Sequence, residues 1–248
     1  MPSNAQPHYI GIDVGTGSAR ACVVDYRGDI VGLASHKIQT WQPHPGFYEQ
    51  STTDIWNSIC VAVKQAVQES GVQPSSIRGL AFDATCSLCV FSRETNSPVS
   101  VGGPGCSSEQ NVILWLDHRA VEETKTINAT GHPVLQYVGG GMSVEMEMPK
   151  ILWLKKHMSP SQFKDCEFYD LADALAHLAT GKKSRSYCSV ICKQGYLAAG
   201  TDYGEEGWQL DFLKQIGLED LSSDEYASLG GIHGKVCDAS FTIVEGQS

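Results

Sequence analysis

The sequence predicts an α/β fold: a mixed sheet led by an antiparallel three-strand meander, with flanking helices. Three observations carry that prediction. Tyr9, Ile10 and Ile12 form a β-type run that closes at Asp13, and Ala21, Cys22, Val23 and Val24 return after Gly15-Thr16-Gly17-Ser18. A turn at Tyr26-Arg27-Gly28-Asp29 leads into a third strand over residues 30–38. Ser51 then opens a helix, with Asp54 three residues on in a capping-box arrangement. Ile55, Ile59, Ala62 and Ala66 mark its buried face and Gly71 ends it, after which residues 77–83 form a mostly apolar fourth strand.

Beyond this βββαβ order, residues 88–91 read as a fifth strand and residues 93–111 as a polar loop holding Gly102, Gly103, Pro104 and Gly105. Residues 113–117 read as a strand running into a solvated helix near His118, and Gly139-Gly140-Gly141 as a flexible junction. Pro149, suited to a first helical turn, opens a helix through His157. Asp170 caps residues 171–180, whose Leu171, Leu175 and Leu178 share one face, and Gly181 closes that helix. Residues 187–192 alternate in the manner of a strand, and residues 205–216 form a last amphipathic helix.

Composition narrows the function classes. A chain of 248 residues with 42% hydrophobic and 19% charged residues can bury a sizeable core. A formal net charge of −10 disfavours nucleic acid and anionic membrane surfaces. No apolar stretch approaches the ~20 residues of a membrane span, and the polar start is not a secretion signal. Nine cysteines in that setting imply reduced thiols and a cytoplasmic protein. Cys86-x-x-Cys89 and Cys188-x-x-x-Cys192 lack a well-spaced partner pair for zinc.

The first hairpin holds the phosphate chemistry. Gly15 and Gly17 let backbone N–H groups approach an anion, and the Thr16 and Ser18 hydroxyls can donate to phosphate oxygens. Asp13 can hold a hydrated magnesium ion, and Arg20 adds a cation on the same edge. The segment lacks the third glycine and the following helix of a dinucleotide fingerprint, and no Gly-Lys-Ser/Thr makes it a Walker A loop. A plain Gly/Ser hairpin is the competing reading. The pattern Asp-x-Gly-Thr-x-Ser-x-Arg resembles the first phosphate loop of the actin-like ATPases, which implies a ribonuclease-H-like fold.

Further segments sharpen that resemblance. They are Tyr48-Glu49-Gln50, Phe82-Asp83-Ala84-Thr85-Cys86, residues 113–119 (ILWLDHR), Ser143-Val-Glu145 with Pro149-Lys150-Ile-Leu-Trp153, and Arg185-Ser186 with Cys188 and Lys193. In order and spacing over residues 9 to about 220, the chain resembles the N-terminal domain of the FGGY carbohydrate kinases, in their ribulokinase-like branch. That resemblance implies ATP as co-substrate, Mg2+, and a sugar or polyol acceptor, D-ribulose or a related pentulose or pentitol, phosphorylated on a primary hydroxyl. It places Asp83, Ala84, Thr85, Trp115, Asp117 and Lys193 at the sugar. Each has a plainer reading as well. Asp83 can cap a turn, Trp115 can be core, Asp117 and Arg119 can form an ion pair within the domain, and Lys193 can be an exposed strand residue. Glu145 and Lys150 are expected to fix their helix rather than touch substrate.

The resemblance also implies a catalytic aspartate near the end of the first domain and a second domain that binds adenosine. Residues 1–220 are thus expected to form the N-terminal kinase domain and 221–248 a divergent or truncated tail, the second domain being absent. Asp238-Ala239 only faintly echoes the catalytic pair. The chain alone is expected to be inactive, and the alternative function is a non-catalytic sugar-binding or interaction module.

Overall fold

The structure, a computed structural model, describes residues 6–102, 109–231 and 236–237. Asp238 and residues 103–108 of the glycine-bearing loop lie outside the described residues. The strands are β1 (His8–Val14), β2 (Ser18–Val24), β3 (Ile30–Lys37), β4 (Glu49–Gln50), β5 (Ile77–Ala84), β6 (Ser87–Ser92), β7 (Val112–Leu114), β8 (Cys166–Asp170), β9 (Arg185–Ser186) and β10 (Val236–Cys237). The helices are α1 (Thr52–Ser70), α2 (Val121–Ala129), α3 (Glu147–His157), α4 (Pro160–Asp165), α5 (Leu171–Thr180), α6 (Tyr187–Gln194) and α7 (Leu210–Ile216).

The first sheet has the order β3-β2-β1-β5. Tight turns make β1–β2 and β2–β3 antiparallel, and the return through α1 makes β5 parallel to β1. Ile10, Ile12 and Val14 alternate with the more exposed Tyr9 and Asp13, so one face of this sheet meets α1. α1 begins as predicted, with the Ser51 side chain accepting from the Asp54 N–H, and ends on Gly71 at φ 65°. It packs so closely that a Cβ on Gly32 would stand 2.2 Å from the Ala66 carbonyl oxygen.

The second sheet, β4-β7-β6-β8, is antiparallel throughout. β6 is buried at every position and links two cores. Leu88 and Val90 join the core of α2, α3 and α7, whereas Cys89 and Phe91 join the core beneath the first sheet.

Four sequence expectations change. Residues 187–192 are helical within α6, because burial of Ser189, Val190 and Gln194 and the left-handed Gly195 cap override the β preference of Tyr, Val and Ile. Of the 113–117 segment only residues 113 and 114 pair as a strand, within β7, since the Asp117 N–H turns back to the Leu114 carbonyl. The predicted helix over 205–216 is confined to α7, because Gly207 exchanges backbone hydrogen bonds with Leu197. The helix expected near His118 begins at Val121. β8 carried no distinct sequence signal, being five residues long and fully buried without alternation, whereas α4 has a legible start in its Ser159 cap and Pro160. Beyond residue 220, Leu221 and Leu229 are buried in the larger core and the Trp208 indole donates to the Gly231 carbonyl.

Candidate functional site

The predicted phosphate loop sits where β1 turns into β2, closed by the Gly15 N–H donating to the Ser18 carbonyl. Cross-strand register does the rest. Asp13 pairs with Arg20 on β2 and with Asp83 on β5, so strand geometry alone lines up two carboxylates and a guanidinium across three strands. Arg20 Nη2 lies 3.0 Å from Asp13 Oδ2, and both side chains are about half exposed. A Cβ on Gly15 would meet the Arg20 guanidinium at 2.8 Å, so a side chain there would displace that flexible, half-exposed arm from Asp13. Gly17 has open space around it.

Side chains from distant segments converge on this edge. The Trp115 indole N–H donates to Thr16 Oγ1 at 3.0 Å, and Gln50 Nε2 donates to the Thr16 carbonyl at 2.7 Å and to Thr40 Oγ1 at 2.9 Å. Thr16 keeps its own hydroxyl proton for a further acceptor. Ala84 is level with Val14, and the Thr85 N–H donates to the Val14 carbonyl at 3.0 Å. The next residue, Cys86, lies beside Lys193, which stands on the last turn of α6 rather than on a strand. Burial works to lower the Lys193 ammonium, but Cys86, Asp170 and Cys192 outweigh it and hold it above its ordinary value. Asp13, Thr16, Arg20, Asp83, Thr85 and Trp115 are therefore joined by register or by hydrogen bonds, directly or through Val14, and Lys193 adjoins them beside Cys86.

Asp117 is different, because its side chain is fully buried. Its Oδ1 accepts from the Arg119 backbone N–H and Nε, and its Oδ2 accepts from Arg119 Nη2 and from the Tyr48 N–H. Arg119 also donates to Glu49 and to the Val101 carbonyl and lies over the Phe47 ring. The predicted sugar contact at Asp117 is corrected: both oxygens are consumed by a buried ion network, and none of the side chain reaches the surface. Lys150 is equally structural and fixes its helix against its lead-in and the neighbouring turn. Its Nζ donates to the Leu114, Trp115 and Glu145 carbonyls and so holds the turn that carries Trp115. Burial lowers that ammonium to about 8.

Sequence reasoning named Gln50 and Cys86 within the family-like segments without giving either a role at the site, and it missed a buried carboxyl group of three, Glu147, Asp170 and Asp173. Of these only Asp170 had been singled out, as a cap, and its Oδ1 does accept from the Ala172 N–H. Among the described residues no set of three or more His, Cys, Asp or Glu could hold a metal alone. Any magnesium at Asp13 would thus share its oxygens with water and with the phosphates it accompanies.

Residues 8–192 match the FGGY family of carbohydrate kinases, N-terminal domain. The chain is 49% identical over 223 residues to the D-ribulokinase YDR109C of Saccharomyces cerevisiae, covering 90% of this chain and 31% of that one. It is 48% identical over 224 residues to a Homo sapiens FGGY carbohydrate kinase domain-containing protein, covering 90% and 39%. It thus spans about a third of the length of these curated relatives. Among solved structures, a Plasmodium falciparum glycerol kinase with ADP aligns at TM-score 0.72 and 17% identity, covering 88% of this chain and 42% of that one. A xylulose kinase from Rhodospirillum rubrum aligns at TM-score 0.68 and 19% identity, covering 85% and 40%. At those identities the two structures speak for the shared fold.

Proposed function

The chain belongs to the FGGY family of carbohydrate kinases, and from that premise we propose that it forms the sugar-binding half and first phosphate loop of an ATP-dependent kinase. Its acceptor is a primary hydroxyl of a ketopentose or pentitol, D-ribulose foremost. The observation that supports this most is the in-register placement of Asp13 beside Asp83, with Arg20 on one side and the Thr16–Trp115 and Cys86–Lys193 contacts closing the edge. The name of the 49% identical yeast relative supports the choice of sugar.

In this reading the γ-phosphoryl group of ATP passes to the sugar hydroxyl, that hydroxyl loses its proton, and ADP leaves. Such a transfer requires alignment and charge neutralisation more than covalent chemistry by the protein. The Thr16 and Ser18 hydroxyls and the N–H groups of the loop hold phosphate oxygens, and Arg20 offsets their charge. Asp13 is the residue that would hold magnesium through water, and its oxygen chemistry suits that hard cation, which neutralises phosphate charge when bound. On the acceptor side, Asp83 and Thr85 take hydroxyl hydrogen bonds, Lys193 donates them and Trp115 offers an apolar face. Asp117 and Arg119 hold the wall behind Trp115. The net charge of −10 fits small-molecule partners better than nucleic acid. Cys22, Cys60, Cys86, Cys89, Cys166, Cys188 and Cys192 are free thiols and no described helix is long and apolar enough to cross a membrane, which suits a cytoplasmic setting.

A calorimetric titration of D-ribulose and ribitol into the chain tests the acceptor site. Binding is expected to fall at least about tenfold in Asp83→Asn and in Lys193→Met, with melting temperatures held within a few degrees. Unaltered binding in both variants, or loss of the fold in either, would remove that residue from the site.

A further inference from the structure

Behind Lys193 lies a layer of buried carboxyl groups that the proposed chemistry does not use. Glu147, at the start of α3, and Asp170, at the junction of β8 and α5, are 1% and 4% exposed. Their carboxyl groups lie side by side in that buried layer and act directly on one another. Each has one oxygen, Glu147 Oε1 and Asp170 Oδ2, that is buried without a hydrogen-bond partner. Two ionised carboxylates in contact inside a protein repel, and two orphaned acceptors each cost desolvation free energy. A single proton held between them relieves both penalties. The remaining oxygens are already committed: Glu147 Oε2 accepts from Gln194 Nε2, and Asp170 Oδ1 accepts from the Ala172 N–H.

Gln194 is the neighbour of Lys193 on the last turn of α6, and α3 packs against α6. At 1% exposed, Gln194 anchors that turn to Glu147 on the inside, while Lys193 reaches out to Cys86 beside the sugar-site strand end. The groups facing Lys193 are Cys86 from the β5–β6 turn, Asp170 from β8, and Cys192 and Cys188 from its own helix. Those facing Glu147 are Asp170, Gln194, Asp173 and Lys150.

We propose that Glu147 is a positioning residue for the sugar site: with Asp170 it shares one proton, and through Gln194 it fixes the α6 turn that aims Lys193. This rests on the reading of Lys193 as a sugar contact. Glu147 touches no substrate and acts only through the lysine it orients, and small misplacement of such a group is costly in binding.

A double-mutant cycle read by D-ribulose titration tests this on the 248-residue chain. Glu147→Met is expected to weaken binding about tenfold, and to cause no further loss when Lys193 is already Met. Asp170→Asn keeps the helix cap and a donor toward Glu147, and is expected to bind within about threefold of wild type, where Asp170→Leu loses about tenfold. Independent losses from Glu147→Met and Lys193→Met, or equal losses in both Asp170 variants, would overturn the proposal. The Lys193 13Cε resonance, assigned by its absence in Lys193→Met, gives a sugar-free reading. It is expected to move in Glu147→Met, and an unmoved resonance overturns the positioning role even if no sugar binds. A Lys193→Met variant that binds sugar normally while that resonance still responds to Glu147 refutes the sugar contact instead.

Discussion

The two four-stranded sheets of this domain have surroundings that treat charge in opposite ways. On the first, Asp13 and Arg20 meet at 3.0 Å with about half of each side chain exposed, and Asp83 stands beside them facing solvent. On the second, Arg119 with Asp117 and Glu49, and Arg185 with Glu167, have side chains at or below 1% exposure. Exposed ions are loosely held and free to exchange protein partners for a ligand. Buried ions are committed: burial pushes the Glu49 carboxyl up even with Arg119 against it, so neither partner tolerates loss of the other. The open edge is suited to binding, and the closed network is suited to keeping its wall in place.

The largest effect should come from breaking the closed side. Arg119→Met strands Asp117 and Glu49 without their cation, and a loss of ~3–5 kcal/mol is expected, read as a fall of about 10 °C in melting temperature. A fall of only about a degree would mean that the network is slack and the contrast with the open edge false.

The open edge should lose function without losing stability. With Mn2+ and ADP added, paramagnetic broadening is expected at the amides of residues 13–18 in the wild type and to vanish in Asp13→Asn, which keeps the size and an acceptor oxygen. Equal broadening in both proteins, or a mutant that no longer folds, would make Asp13 a turn residue.

Most of the open edge was legible in the sequence. A glycine-rich reversal between two β-type runs fixes register locally, so Asp13, Thr16 and Arg20 had to lie together. The capping of α1 by Ser51 and of α5 by Asp170 was equally readable, because caps are decided within four residues. The closed side was not. Glu147 and Asp170 meet through tertiary packing that leaves no periodicity in either segment, and a buried carboxyl pair looks in text like two ordinary surface acids. Lys193 was placed on a strand because Tyr187, Val190 and Ile191 favour one, whereas packing against α3 made the segment helical. Asp117 was placed at the sugar by the family resemblance alone, and the turn after Leu114 sends its carboxylate inward.

A smaller effect separates charge from shape within the closed side. Burial raises the Asp173 carboxyl from its ordinary 3.8 to about 7, against the partial help of Arg185. The folded chain therefore keeps a proton over that window that the unfolded chain has already released, and stability falls as pH rises through it. Asp173→Asn preserves the acceptor for the Ser186 N–H and removes the charge. Melting curves are expected to place this variant a few degrees above wild type at pH 8, with the gap closing toward pH 4. A gap independent of pH would assign the gain to packing.

The smallest effect belongs to Arg20→Met, which removes the exposed partner of Asp13. Its melting temperature should change by no more than about a degree or two. A fall comparable to that of Arg119→Met would erase the distinction between the two sheets.

The most direct test of the open edge as the binding edge is an amide NMR titration of the chain with D-ribulose. Shifts are expected at residues 83–86, Trp115 and Lys193 and in the adjoining loop over 13–18, with the Arg119 network unmoved. Shifts centred instead on the separate cleft lined by Arg93, Lys164 and Lys183, or no shifts at millimolar sugar, would contradict the account.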